Sequence, residues 1–131
     1  IDAKYTIVFG VRSFEPEELT LLQQLNVRYY TMLEIKQRGL NVCFNEAWRK
    51  VLACKNGFGL SLDLDGIDPM FAPAVSVKEQ HGLSWPHLLK SLQQQKTTPK
   101  LKAIEVVEFN PYLDRQKRTL NVIKQLFRAY R

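Results

Sequence analysis

The spacing of apolar and polar positions changes several times along this chain, and each change marks an element. Tyr5 to Val11 is a β-branched, apolar run that reads as a strand ending at Arg12-Ser13. Pro16, with Glu15, Glu17 and Glu18 around it, opens a helix that runs to about Leu25 and buries Leu19, Leu22 and Leu25. Val27 to Met32 reads as a second strand. Phe44, Ala47, Trp48, Val51 and Leu52 then fall on one face of a helix. From Gly59 to Leu64 the period becomes two, with Leu60, Leu62 and Leu64 alternating against Ser61, Asp63 and Asp65, as in a strand. A loop from Gly66 to about Gly82 leads to a helix with Ser84 at its N-cap, which ends in the tract Gln93–Pro99. Lys102 to Phe109 is the fourth strand. A last helix begins near Asp114, with Leu120, Ile123, Phe127 and Tyr130 as its apolar stripe and Lys117, Asn121, Lys124, Arg128 and Arg131 opposite. Strands separated by helices predict crossover connections, hence an α/β fold with a mainly parallel sheet.

Bulk properties narrow the classes of function. With 131 residues, 45% hydrophobic and 24% charged, the chain suits one ordinary globular domain. No apolar run approaches the roughly 20 residues of a membrane helix, and no secretory leader is visible, so a cytoplasmic, non-membrane protein is expected. Cys43 and Cys54 lack the spacing and histidine neighbours of a zinc site and read as reduced thiols. The net charge of +6 gathers late in the chain, on the outer face of the last helix. Without interleaved aromatics or a nucleic-acid module this is a solvated face, so no nucleic-acid partner is expected. Trp48 and Trp85 read as packing residues, and His87 as helical surface.

The chemistry lies where strands end. In a parallel sheet, sites collect outside the C-terminal ends of the strands. Three strands here end in acid-bearing turns: Arg12-Ser13-Phe14-Glu15, Asp63-Leu64-Asp65 and Glu108-Phe109-Asn110. The period of two places Asp63 and Asp65 side by side, and two adjacent like charges are costly unless a cation lies between them. Hard oxygen donors suit Mg²⁺, Ca²⁺ or Mn²⁺. A strand ending in a polar turn, with Asp68 at the Asp-Pro bend, accounts for the same residues without a metal.

The longer string, Ser61-Leu62-Asp63-Leu64-Asp65-Gly66-Ile67-Asp68-Pro69 followed by Phe71-Ala72-Pro73-Ala74, resembles the second metal-binding motif of the ureohydrolases, the arginase, agmatinase and formimidoylglutamase family. Ile104-Glu105-Val106-Val107-Glu108-Phe109-Asn110-Pro111 is similar to that family's strand ending in Glu-x-Asn-Pro. The resemblance implies a three-layer α-β-α architecture, with residues 1–131 supplying the C-terminal half of a single domain. It also implies two Mn²⁺ per intact site and hydrolysis of a guanidino substrate, L-arginine to ornithine and urea, by a metal-bridging hydroxide. Asp63 and Asp65 would be metal ligands, Asp65 and Glu108 the catalytic residues, and Glu108 the carboxylate paired with the guanidinium. Glu15 and Glu18 stand where arginases contact the substrate's α-amino group, although helix N-terminal charge explains them equally well. Asp68, Ser61 and Asn110 would have supporting places around the ligands. The resemblance further implies a homo-oligomer, a trimer or hexamer.

This chain departs from the pattern in two ways. The family's Asp-Ala-His-x-Asp motif and its upstream Gly-Gly-Asp-His are absent, as is the histidine assigned to proton shuttling, so activity is expected only together with the missing N-terminal half. Val75-Ser76-Val77-Lys78-Glu79-Gln80-His81 replaces a Gly/Thr/Pro-rich loop that shapes the substrate pocket, and His81 stands where a glycine is usual. Agmatinase or formimidoylglutamase activity, or a non-catalytic structural or regulatory role, therefore remain alternatives. Asn110 favours arginase over agmatinase.

Overall fold

The computed structural model describes residues 1–95 and 98–130; Arg131, and Lys96 and Thr97 of the tract Gln93–Pro99, lie outside them. In chain order the elements are β1 (Ile7–Val11), α1 (Pro16–Gln24), β2 (Arg28–Thr31), α2 (Met32–Arg38), α3 (Leu40–Leu52), β3 (Phe58–Asp63), α4 (Trp85–Gln94), β4 (Leu101–Val107) and α5 (Arg118–Ala129). The architecture is α/β with parallel strands. β1 pairs with β2 and β3 with β4, so the strands form two small parallel sheets rather than one. Helix α1 makes the first crossover and α4 the second, and both sheets contribute to one core.

Several expectations shift once tertiary contacts act. Tyr5, expected to open the first strand, instead ends the 3-10 turn Ala3–Tyr5, because the Asp2 side chain accepts the Lys4 N–H at 2.9 Å and closes a local turn. Helix α2 has no counterpart in the sequence reading. Thr31 ends β2 and also caps α2 by accepting the Glu34 N–H at 3.1 Å, so no loop separates strand from helix. On α1, Leu19 and Leu22 are half-buried, but Leu25 is exposed. On α5 the buried stripe is Thr119, Val122 and Leu126, with Phe127 exposed, a rotation away from the expected face. Thr119 explains it: its Oγ1 accepts the buried Ala74 N–H at 2.9 Å, so a polar residue takes a core position that hydropathy assigns to Leu120.

The core joins the helices to both sheets. Phe44 of α3 meets Phe9 of β1 edge-on, and Trp48, one turn later, meets Phe58 of β3. Aromatic rings in such tilted arrangements add attraction beyond their buried area. Gln95 Nε2 donates to Asn45 Oδ1 at 2.7 Å, and Trp85 Nε1 to Gln125 Oε1 at 2.5 Å, stitching α4 to α3 and to α5. In β3 and β4 the alternation holds: Leu62 is buried, Leu60, Ile104 and Val106 pack on the core, and Ser61, Asp63, Glu105 and Val107 face solvent.

Candidate active site

The expected pleat alternation stops one residue early. β3 ends at Asp63, and Leu64–Gly66 is a 3-10 turn, so Asp65 stands on a turn instead of the strand. Asp63 caps that turn, its Oδ1 accepting the Asp65 N–H at 3.3 Å. The two carboxylates are still brought together, by capping instead of by period. Burial pushes the Asp65 carboxyl above the ordinary aspartate range, the charge and hydrogen bond of Asp63 push it further, and Arg12 opposes them, with a smaller upward push from Glu108. Asp63, Asp65 and Glu108 thus share one electrostatic neighbourhood.

Glu108 follows the end of β4 in a left-handed conformation, φ +62°. A non-glycine residue there is strained and persists only where its surroundings hold it. The next turn supplies the hold. Asn110 N–H donates to Ala74 O at 2.9 Å, and Asn110 Oδ1 accepts the Tyr112 N–H at 3.2 Å, starting a 3-10 turn at Pro111.

Asp68 uses both carboxylate oxygens internally: Oδ1 accepts the Met70 N–H and Oδ2 the His81 N–H, each at 2.9 Å. It therefore folds the loop after the motif back against it. An isolated bridge between Ile67 and Leu83 continues that return, with Asp68 N–H donating to Leu83 O at 3.0 Å and Leu83 N–H to Gly66 O at 2.9 Å. Ser61, on the same strand face as Asp63, donates its hydroxyl to Glu105 Oε1 at 2.6 Å. Glu15 and Glu18 lie at the start of α1, where Glu15 N–H donates to Glu18 Oε2 at 3.1 Å. No hydrogen bond or ion pair joins either to Asp63, Asp65 or Glu108 among the described residues.

Sequence reasoning passed over Arg12. Its guanidinium, almost buried, donates from Nη2 to Asp65 O and from Nη1 to Glu79 O at 2.6 Å, and Nε lies 3.5 Å from the Glu79 carboxylate. The available signal was one basic residue at the first of three acid-bearing strand ends. His81, which stands where a glycine is usual in the family, is exposed and left-handed, φ +65°.

A hard divalent cation fits these donors in kind. Asp63 and Asp65 supply carboxylate oxygens side by side, and the crowding that raises the Asp65 carboxyl is one that a bound cation would relieve. They do not complete a coordination shell: among the described residues no group of three or more His, Cys, Asp or Glu side chains is set to hold a metal ion. No helix among them is long and apolar enough to cross a membrane.

Parallel strands joined by crossover helices, with Asp63 at the end of β3 and Glu108 just after β4, define an α/β chain. The sequence profile of the arginase family matches residues 1–130, and the chain belongs to that family. It is 34% identical over 122 residues to the arginase of Brevibacillus brevis, covering 93% of this chain and 41% of that protein. The crystal structure of Bacillus caldovelox arginase superposes with a TM-score of 0.91 at 28% identity, covering 99% of this chain and 44% of that one. A formimidoylglutamase from Bacillus subtilis superposes at 0.89 with 25% identity, covering 99% and 41%. The chain spans about two-fifths of the length of the relatives it matches.

Proposed function

We propose that this chain carries the C-terminal part of a manganese-dependent ureohydrolase that cleaves a guanidino compound, L-arginine first among them, into urea and an amine. The observation that supports it best is the shared neighbourhood of Asp63, Asp65 and the strained Glu108. Asp63 and Asp65 would hold Mn²⁺ jointly with ligands from the rest of the protein, and bound divalent ions supply a water acidic enough to attack at neutral pH. Glu108 takes the planar guanidinium by charge-assisted hydrogen bonds and orients its central carbon for attack. The left-handed backbone at Glu108 fixes where that carboxylate stands before substrate arrives. Asp68 holds the following loop against the motif, so that the pocket wall and the metal ligands keep one register.

Urea release from L-arginine, agmatine and formimidoylglutamate by the longest native form of the protein tests this reading, with Asp63→Ala as the control that should abolish it. A second reading is a non-catalytic family member with a structural or regulatory role, its Val75–His81 stretch standing in place of the Gly/Thr/Pro-rich loop of the arginase pattern. It predicts no turnover and no bound metal in the same protein.

A further inference from the structure

We infer that Arg12 is a positioning residue for this site, clamping the segment Ser76–Gly82 to the Asp63–Asp65 turn so that pocket wall and metal ligands move as one body; its effect on activity rests on the ureohydrolase reading. The geometry is a single planar group spanning two backbones. Arg12 extends from the end of β1, and one guanidinium nitrogen donates to Asp65 O while another donates to Glu79 O at 2.6 Å. These carbonyls lie 53 and 67 residues from Arg12 in sequence, and the side chain joining them is 15% exposed. A guanidinium presents several donors in a rigid fork and fixes the separation of its acceptors, whereas an ammonium reaches them as a point charge.

The segment is held again two residues later. Asp68 Oδ2 accepts the His81 N–H at 2.9 Å, and His81 itself adopts φ +65°. Held at Glu79 and His81, the segment forms one wall of an open groove of about 490 Å³. Arg12, Phe14, Met32, Lys36, Glu79 and His81 line it, so the clamp sets the groove's width as well as the turn's position. This is also the stretch, Val75 to His81, in which the sequence departs from the arginase pattern. Arg12 is hydrogen-bonded both to that stretch and to the Asp63–Asp65 turn, and the Asp68 tie at His81 acts beside it.

The test is hydrogen exchange followed by mass spectrometry on the longest native form of the protein, with urea release measured in parallel after Mn²⁺ loading. Losing hydrogen bonds to a charged group should make amides of residues 76–82 and 64–66 exchange about tenfold faster in Arg12→Met, with α3 and α4 unchanged. KM should rise about fivefold or more. Arg12→Lys should give an intermediate acceleration, about threefold, because an ammonium carries its donors on a single nitrogen and lacks the fork that spans both carbonyls. Glu79→Gln should change exchange by less than about twofold, since the backbone carbonyl remains. Wild-type exchange of residues 76–82 in Arg12→Met would overturn the clamp, as would Glu79→Gln matching Arg12→Met. If Arg12→Met loosens α3 as well, Arg12→Lys decides: faster exchange confined to the two segments supports the clamp, and wild-type exchange overturns it. Absence of urea release from the unmutated protein would refute the ureohydrolase reading, and the exchange rates would still judge the clamp.

Discussion

Alanine at Gly82 should destabilise the protein severely, although it adds a single methyl group. A Cβ at Gly82 would lie 2.7 Å from Asp68 N and 2.8 Å from both Gly66 O and Ile67 C. All three are backbone atoms, so no side chain can swing aside. Relief requires the return strand to move off the motif, breaking the hydrogen bonds from Asp68 N–H to Leu83 O and from Leu83 N–H to Gly66 O. Two backbone hydrogen bonds at about 1 kcal/mol each, with about 1–3 kcal/mol of overpacking strain, give a loss of about 3–5 kcal/mol. For a domain of 131 residues that lowers Tm by about 15 °C. Calorimetry or urea denaturation of Gly82→Ala in the longest native form measures it. The neighbouring position predicts the opposite sign. His81 is left-handed, and glycine there relieves strain of about 1–2 kcal/mol while adding about 0.5–1 kcal/mol of unfolded-state entropy. His81→Gly should therefore leave stability unchanged or raise it by up to about 1.5 kcal/mol. A Gly82→Ala variant that melts with the wild type would refute the packing described for the Asp68 loop.

Other outcomes follow from single residues. Glu108→Gln should keep the bound metal and lower kcat/KM by about 10- to 150-fold, the loss of about 1.5–3 kcal/mol from a charge-assisted hydrogen bond. Steady-state kinetics with metal analysis checks it. Among the described residues the buried Tyr130 hydroxyl has no hydrogen-bond partner, so Tyr130→Phe should be neutral or stabilising in urea denaturation. Burial pushes the Tyr130 phenol up to about 12. The unfolded chain therefore releases that proton first as pH rises past about 10, and the wild type should lose stability from there through about 12 by a component that Tyr130→Phe lacks. Hydrogen bonds from Arg28 and Arg38 hold the Glu34 carboxyl below its ordinary range, and Arg38 does the same to Glu46. Their contribution is present above the unfolded glutamate pKa and lost as pH falls through the lower folded values. A Glu34→Gln, Glu46→Gln variant should show a shallower loss of stability in acid, read from Tm against pH.

The parts of this fold that were legible in the sequence depend on near neighbours. Leu60 and Leu62 against Ser61 and Asp63 announce a strand with one buried face, and Phe44, Ala47 and Trp48 announce the buried side of α3. The three acid-bearing strand ends were visible for the same reason. What escaped depends on partners distant in sequence or on one residue serving two elements. Thr31 closes β2 and caps α2 at once, so the helix after it leaves no loop to read. Thr119 occupies a core position because Ala74, from the loop after the Asp motif, presents an N–H that needs an acceptor. Arg12 is set against Asp65 and Glu79 by the folding of three separate segments, and no local pattern encodes that. Even Asp63 and Asp65, correctly placed together, meet through a capped 3-10 turn that the period of two does not contain.

The central claim is that Asp63 and Asp65 are ligands of a catalytic metal, and metal content with urea release tests it most directly. The longest native form of the protein should bind two Mn²⁺ per chain and release urea from L-arginine, and Asp63→Ala should lose both metal and turnover. A folded protein that holds no metal and turns over none of L-arginine, agmatine or formimidoylglutamate would contradict it. The Asp motif would then be scaffold.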